Sequence, residues 1–339
     1  MPEVHAGAST AGPSTSWSEV LDRACGAYLG LALGDALGAT VEFMTVREIR
    51  ERFAAEGGVH RRIVGGGWLE LPPGQVTDDT TMSLALGDAL LDGARTGRPF
   101  DATLIAEAFV RWLRGKPVDC GSTCRRGIQR YLRDGSLDGG YRAGDAGNGA
   151  LMRMLPAVLA TLHDESAFVR VALAQARITH HHPLSDAAVL GIGRFVRDAL
   201  LGGSRTDLLA GIAAWVDVEP AFRFVPYRGR ASAYVVDTVQ TVLHCVSTHA
   251  DFEAAVVAAV NCGADADTTG AIVGMLMGAH CGARRLPAHW LRRLAPTVTH
   301  AVADQARALV TVAMACVPLP SPPEAFDADP RLPLQPLPH

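Results

Sequence analysis

Apolar positions along this chain recur at a helical spacing almost everywhere between its two ends. Over Asp101 to Leu113 they fall at Leu104, Ile105, Ala108, Phe109 and Leu113, close to the 3.6-residue period. From Asp186 to Leu201 a second helix follows Ser185, a good N-cap residue, and stops at Gly202-Gly203. Ala231 to Val246, Phe252 to Val260 and Thr268 to Ala279 read as three more, and Trp290 to Met314 as one or two. Strand-like alternation is scarce, the connections are short, and no repeat is visible. The pattern predicts an all-α fold, a single multi-helix domain from Trp17 to Cys316.

Two of these helical stretches, GAYLGLALGDALGA and TTGAIVGMLMGAHCGA, are rich in glycine and alanine. Glycine inside a helix costs about 1 kcal/mol relative to alanine, so its repeated use predicts close helix packing. A membrane dimerisation motif is the other reading of such spacing, but Asp35 and the short length of the run favour a buried helix in a soluble protein. The ends differ. Residues 1–16 are rich in Ala, Gly, Ser, Thr and Pro and read as a disordered tail. Residues 317–339 carry prolines too dense for a helix and read as a proline-rich tail, either loose or a docking segment.

Composition narrows the class. With 48% hydrophobic and 19% charged residues the chain can build a core. A net charge of −4 argues against nucleic-acid binding, which relies on basic surface. No apolar run approaches the roughly 20 residues of a membrane span, and the first 17 residues lack the basic start and apolar stretch of a signal peptide. The seven cysteines form no CxxC pair and read as reduced thiols, which places the protein in the cytoplasm. Cys120 and Cys124 fit one helix face, but two thiols alone make a poor zinc site.

Candidate chemistry concentrates in two acidic segments. Gln75-Val76-Thr77-Asp78-Asp79-Thr80 and Gly263-Ala264-Asp265-Ala266-Asp267-Thr268 each precede an apolar helix after a glycine-bearing loop. Helix capping accounts for one Asp and one Thr in each. It does not account for two carboxylates with flanking hydroxyls, twice. Oxygen-only clusters of this kind suit hard cations such as Mg²⁺ or Mn²⁺. If the two helix starts meet, each like-charge pair near 4 Å costs about 4 kcal/mol at an effective dielectric of 20, which divalent ions would relieve. Both readings, capping and metal site, stand on these residues.

Other residues carry weaker signals. Asp35 reads as a packing or capping residue, Glu42 as either a site residue or a surface one, and Asp119 as an N-cap before a helix carrying Arg125 and Arg126. Gly147-Asn148-Gly149 has the form of a loop whose backbone N–H groups approach a phosphate. His180-His181-His182 lacks a spaced partner for zinc and reads as capping or packing.

Taken in order, CGAYLGLALGDALGATVEFMT, GGGWLELPPGQVTDDT, WLRGKPVDCGSTCRRGIQRYL, GNGALMRMLPA, ITHHHPLSDAA, FVPYRGRASAYVVDTVQTVLH and GADADTTGAIVGMLMGA resemble the ADP-ribosylglycohydrolase family. GGGWL and PYRG resemble the branch that regulates nitrogenase. The resemblance implies a metal-dependent hydrolase that removes ADP-ribose from arginine, with two divalent ions, Mn²⁺ or Mg²⁺. It implies metal binding at Thr77, Asp78, Asp79, Asp265, Asp267 and Thr268, a catalytic base at Asp119, and a glutamate near the distal ribose at Glu42. Gly147, Asn148, Gly149 and His180 fall in substrate-contacting loops, and Tyr234 on an aromatic that stacks on adenine. It further implies the nitrogenase iron protein as target, a PII-type signal protein and an ammonium channel as partners, recruitment to the inner membrane through them, and a monomer. Three positions depart from the family pattern: Ala264 replaces a glycine, Thr81 an acid and Ser122 an aspartate. Two rival functions remain, a catalytically silent ADP-ribose-binding or structural member and a metal-dependent phosphohydrolase. The latter has one His-Asp pair to use, His163-Asp164.

Overall fold

The computed structural model describes residues 15–315, and the two predicted tails lie outside them apart from residues 15 and 16. Fourteen α-helices form among the described residues: α1 (Trp17–Gly38), α2 (Val46–Arg52), α3 (Asp78–Arg95), α4 (Ala102–Arg114), α5 (Ser122–Asp134), α6 (Leu155–Ala160), α7 (Glu165–Arg177), α8 (Pro183–Leu200), α9 (Arg205–Val218), α10 (Val235–Thr248), α11 (Phe252–Val260), α12 (Ala266–Cys281), α13 (Ala288–Leu291) and α14 (Pro296–Ala315). No strand is present among these residues; only isolated bridges join Gly66 to Leu71 and Gly147 to Tyr234. The fold is all-α, as the periodicity predicts. No helix among the described residues is long and apolar enough to cross a membrane.

Two helices form the centre. Every residue of α1 from Ala24 to Gly38 is buried, and so is every residue of α12 from Ala266 to Ala279. A helix apolar all round must be enclosed, and α3, α8, α11 and α14 surround this pair. The pair itself runs antiparallel along a line of small residues. Gly26, Gly30, Gly34 and Gly38 face Gly278, Gly274, Gly270 and Ala266, so each glycine occupies the space left by its opposite number. A β-carbon on Gly34 would overlap the backbone of Gly270, and one on Gly30 that of Gly274. The glycines that weaken each helix singly are what let the two backbones touch.

One buried polar network closes within this core. The Tyr28 hydroxyl donates to Gln305 Oε1 at 2.6 Å, and Gln305 Nε2 donates to the Leu84 carbonyl and to Asp88 Oδ1. That network ties α1, α14 and α3 together, and Gly87 leaves the room for the Gln305 amide.

Several predicted boundaries move for identifiable reasons. Helix α8 starts at Pro183, not after Ser185: the His182 ring accepts from the Leu184 N–H, and Pro183 needs no donor at the first position. Ser185 lies inside the helix, its hydroxyl donating to the Asp145 and Gly147 carbonyls. Helix α10 starts at Val235 and not at Ala231, because the Asn148 N–H and Val235 N–H draw this segment into a bridge with the 146–148 loop. Cys120 lies before α5, so it and Cys124 do not share a helix face. The six cysteines among the described residues are free thiols.

The central seam carries a clear expectation. Gly34→Ala lowers stability by roughly 1–3 kcal/mol, the usual cost of forcing an extra methyl into a packed core. Gly144→Ala, where an added β-carbon meets nothing, leaves it near wild type. Denaturant titration of both variants checks the contrast, and equal stability of the two would contradict the close-packed seam.

Candidate active site

The start of α3 is held from outside. Asp35, on α1, accepts from the Thr77 N–H at 2.9 Å, the Thr80 N–H at 3.1 Å and the Thr80 hydroxyl at 2.5 Å. The first backbone donors of a helix need acceptors, and here a wholly buried carboxylate on a neighbouring helix takes two of them while the Thr77 hydroxyl takes the Asp79 N–H. Asp35 is therefore a cap, but across helices. With that task met, Asp78 and Asp79 are turned inward, and the Thr77 hydroxyl reaches Asp79 Oδ2 and Asp267 Oδ2, both at 3.3 Å.

The start of α12 is held in a different way. Phe43 N–H donates to the Ala264 carbonyl at 2.7 Å and Ala264 N–H to the Met44 carbonyl at 2.8 Å, which pins the loop after α1 to the loop before α12. Ala264 pays a conformational penalty there: its φ of 53° is left-handed, a region that favours glycine. Asp265 N–H then donates to the Ala231 carbonyl, and the Asp265 side chain, free of capping, accepts from the Asn148 amide. Thr268 Oγ1 donates to Asp79 Oδ2 at 3.2 Å. The two acidic segments, nearly 190 residues apart, thus share one polar cluster.

This cluster floors a cavity of about 330 Å³. Glu42, Asp78, Asp119, Gly147, Asn148, Gly149, His180, Asp265, Asp267 and Thr268 line it. Thr77 and Asp79 lie beneath, fully buried. Glu42 is buried rather than a surface residue, and its carboxylate accepts from the Trp68 indole N–H at 2.6 Å. Asp119 is not the cap of α5; Gly121 takes that place, without a side-chain hydrogen bond, and its N–H donates to Asp78 Oδ2 at 3.2 Å. Tyr234 sits half-exposed beside the bridge to Gly147. The three histidines separate. His180 faces the cavity, His181 pairs with Asp138, and His182 caps α8.

Sequence reasoning missed Trp68, whose bond to Glu42 spans 26 positions. A large aromatic after three glycines was the one available signal. Of the departures from the family pattern, Ser122 lines the cavity at the first turn of α5, whereas Thr81 is occupied structurally, donating to the Thr77 carbonyl and accepting from Trp112 Nε1. His163 is exposed and Asp164 caps α7, away from the cavity, so no phosphohydrolase site forms around them.

Electrostatics mark the cluster as incomplete. Burial, reinforced by neighbouring carboxylates, pushes Asp78 up to about 7 and Asp265 up to about 6, and holds Asp79 and Asp267 well above the ordinary range. Burial likewise pushes Glu42 up to about 8, against the pull of its Trp68 hydrogen bond. No ion pair among the described residues involves any of these five. Asp79 Oδ1 is buried without a hydrogen-bond partner. One oxygen each of Glu42, Asp265 and Asp267 can lie within 4.8 Å of the others. Buried carboxylates with no cation and an orphaned oxygen have the donor chemistry of a hard metal centre.

The sequence model of the ADP-ribosylglycohydrolase family matches residues 16–316. The chain is 50% identical over 294 residues to the ADP-ribosyl-(dinitrogen reductase) glycohydrolase of Rhodospirillum rubrum, covering 87% of this chain and 97% of that protein. It is 32% identical to the ADP-ribosylarginine hydrolase Tri1 of Pseudomonas putida, over 82% of this chain and 75% of that protein. A solved structure titled ADP-ribosylglycohydrolase-related protein complex superposes with a TM-score of 0.75 at 34% identity, covering 88% of this chain and all of that one.

Two outcomes follow from the strain and the charge. Ala264→Gly raises stability by up to about 1 kcal/mol, since relief of the left-handed penalty exceeds the entropy lost by glycine. A lowered melting temperature would show that the methyl group packs favourably. The pH dependence has a definite sign. Carboxyls whose folded pKa is raised contribute stability that is full below their unfolded values near 4 and is lost as pH climbs through about 6 to 8. The melting temperature of chelator-treated protein therefore falls between about pH 5 and about pH 9, and Mn²⁺ raises it more at the upper end. An Mn²⁺ shift independent of pH would contradict proton–metal competition at this cluster.

Proposed function

The chain belongs to the ADP-ribosylglycohydrolase family, and from that premise we propose that it hydrolyses the N-glycosidic bond between ADP-ribose and an arginine guanidinium on a protein. The observation that carries this reading is the convergence of both acidic helix starts on one cavity. Thr77, Asp78, Asp79, Asp265, Asp267 and Thr268 hold two divalent ions, Mn²⁺ or Mg²⁺. When bound, such ions orient the ribose hydroxyls and lower the pKa of water.

The remaining work falls to the chain's own groups. Asp119, at the cavity wall and committed to no cap, accepts the proton of the attacking water. The water oxygen bonds to C1″ as the C1″–N bond breaks, and the guanidine leaves with the bonding pair. Glu42, fixed by Trp68, faces the distal ribose. The Gly147-Asn148-Gly149 loop and His180 contact the ADP-ribosyl group, with Tyr234 at the rim against the adenine.

The protein substrate is the ADP-ribosylated iron protein of nitrogenase, which the hydrolysis reactivates; the 50% identity to a dinitrogen reductase glycohydrolase supports it. The resemblance of GGGWL and PYRG to the nitrogenase-regulating branch extends the proposal to a PII-type signal protein and an ammonium channel that restrain the enzyme at the inner membrane.

Incubation with ADP-ribosyl-arginine and Mn²⁺ releases free ADP-ribose. Binding without release would instead identify an ADP-ribose reader. Asp119→Asn lowers turnover by about 10² or more while bound metal and ADP-ribose affinity stay near wild type. Near-normal turnover would remove Asp119 as the base, and loss of metal would make it a ligand.

A further inference from the structure

Behind the cavity lies a buried cation that no step above uses. Arg153 is fully buried, and its guanidinium lies 4.6 Å from the Phe109 ring centroid. Among the described residues it has no carboxylate partner. Nε donates to Gln175 Oε1 at 2.8 Å; one terminal nitrogen donates to the Gly149 carbonyl at 2.7 Å and to Cys124 Sγ at 3.3 Å. The other donates to the Gln175 carbonyl at 2.9 Å and to Thr179 Oγ1 at 2.7 Å. One side chain thus fixes the cavity's glycine loop and the residue next to His180.

The contact with Thr179 settles the direction of the next one. An arginine only donates, so Thr179 Oγ1 accepts, and its own proton must go elsewhere. Among the described residues its other partner is His180 Nδ1, at 2.7 Å. If Nδ1 carried a proton, the hydroxyl proton of Thr179, a buried residue, would have no acceptor. Leaving a buried donor unpaired biases the balance by roughly tenfold or more towards the arrangement in which Thr179 donates to Nδ1. The imidazole then carries its proton on Nε2. Burial, together with the charges of Arg153 and Arg126, also keeps the ring from taking a second proton.

That Nε2 edge is the open one. Among the described residues no group bonds it, and His180 lines the cavity. Gly147 and Gly149 flank it: a β-carbon on Gly147 would come within 3.1 Å of Nε2, and one on Gly149 within 3.2 Å. The absence of those side chains leaves the N–H clear.

We propose that Arg153 and Thr179 are positioning residues that lock His180 as the Nε2–H tautomer, making it a fixed hydrogen-bond donor to a phosphate or hydroxyl oxygen of the ADP-ribosyl group. The ligand rests on the function proposed above; the tautomer does not. A locked donor cannot accept a proton at Nε2, so His180 is excluded as the general base and that role stays with a carboxylate.

Two-bond ¹H–¹⁵N correlation spectra of the full chain read the tautomer directly, with the His180 signals identified by their loss in His180→Gln. Wild type shows the neutral Nε2–H form near neutral pH without any ligand. Thr179→Val, which keeps the shape but removes the hydroxyl, shifts the ring towards Nδ1–H and weakens ADP-ribose binding about tenfold. Thr179→Ser restores both. A wild-type ring protonated on Nδ1 overturns the proposal even if the valine variant does not fold. So does a folded Thr179→Val with the wild-type tautomer. Failure of wild type to bind ADP-ribose at all, with the Nε2–H signal present, overturns the functional reading and the donor's ligand.

Discussion

The closeness of α1 and α12 is the constraint on which the rest depends. Their glycines let two backbones meet, and the acidic cluster sits at one end of that contact. Asp35 and Glu42 come from the C-terminal end of α1 and the turn after it, Asp265 and Asp267 from the N-terminal end of α12. Separating the helices by the thickness of a methyl group would part the acids held by α1 from those at the start of α12. The seam thus sets both the stability of the core and the spacing of the site.

Collecting five carboxylates, four of them buried and Asp265 half-buried, is unfavourable by itself, and the fold offsets this locally. Backbone and side-chain donors from four segments hold the acids: Gly121 on Asp78, Thr268 on Asp79, Asn148 on Asp265 and Trp68 on Glu42. None of these donors brings a positive charge. Arg153, the nearest buried cation, spends all its donors on neutral groups and bonds none of the cluster's acids. The cluster keeps its negative potential for a cation from solution, at the cost of carboxyls that hold protons when none is present.

Much of this was legible in the sequence. Helix α11 has the predicted bounds Phe252–Val260, because an aspartate cap and an unbroken apolar run leave no competing signal. Counting more carboxylates than capping needs pointed to both acidic helix starts as candidates, while their meeting is shown by the Thr77–Asp267 and Thr268–Asp79 contacts. What escaped depended on contacts between distant segments. Asp119 looked like a cap because acids commonly are, yet Gly121, with extended backbone angles, takes that position. Ser185 looked like the start of α8, yet an imidazole can accept a backbone proton as a hydroxyl does, and Pro183 fixes the first turn. The Trp68–Glu42 bond left little local trace beyond an aromatic after three glycines, because neither partner belongs to a periodic element.

The central pair also governs the order in which the protein can be assembled. Helix α1 is made first, but α12 lies more than 220 residues later in the chain. Until residues 266–281 leave the ribosome, the buried stretch of α1 has no partner for its glycine face, and half of the acidic cluster does not exist. Long-range closure of this kind slows folding and leaves apolar surface waiting. A chain that ends before residue 266 therefore holds most of the described helices but lacks the central seam and the half of the site that α12 carries.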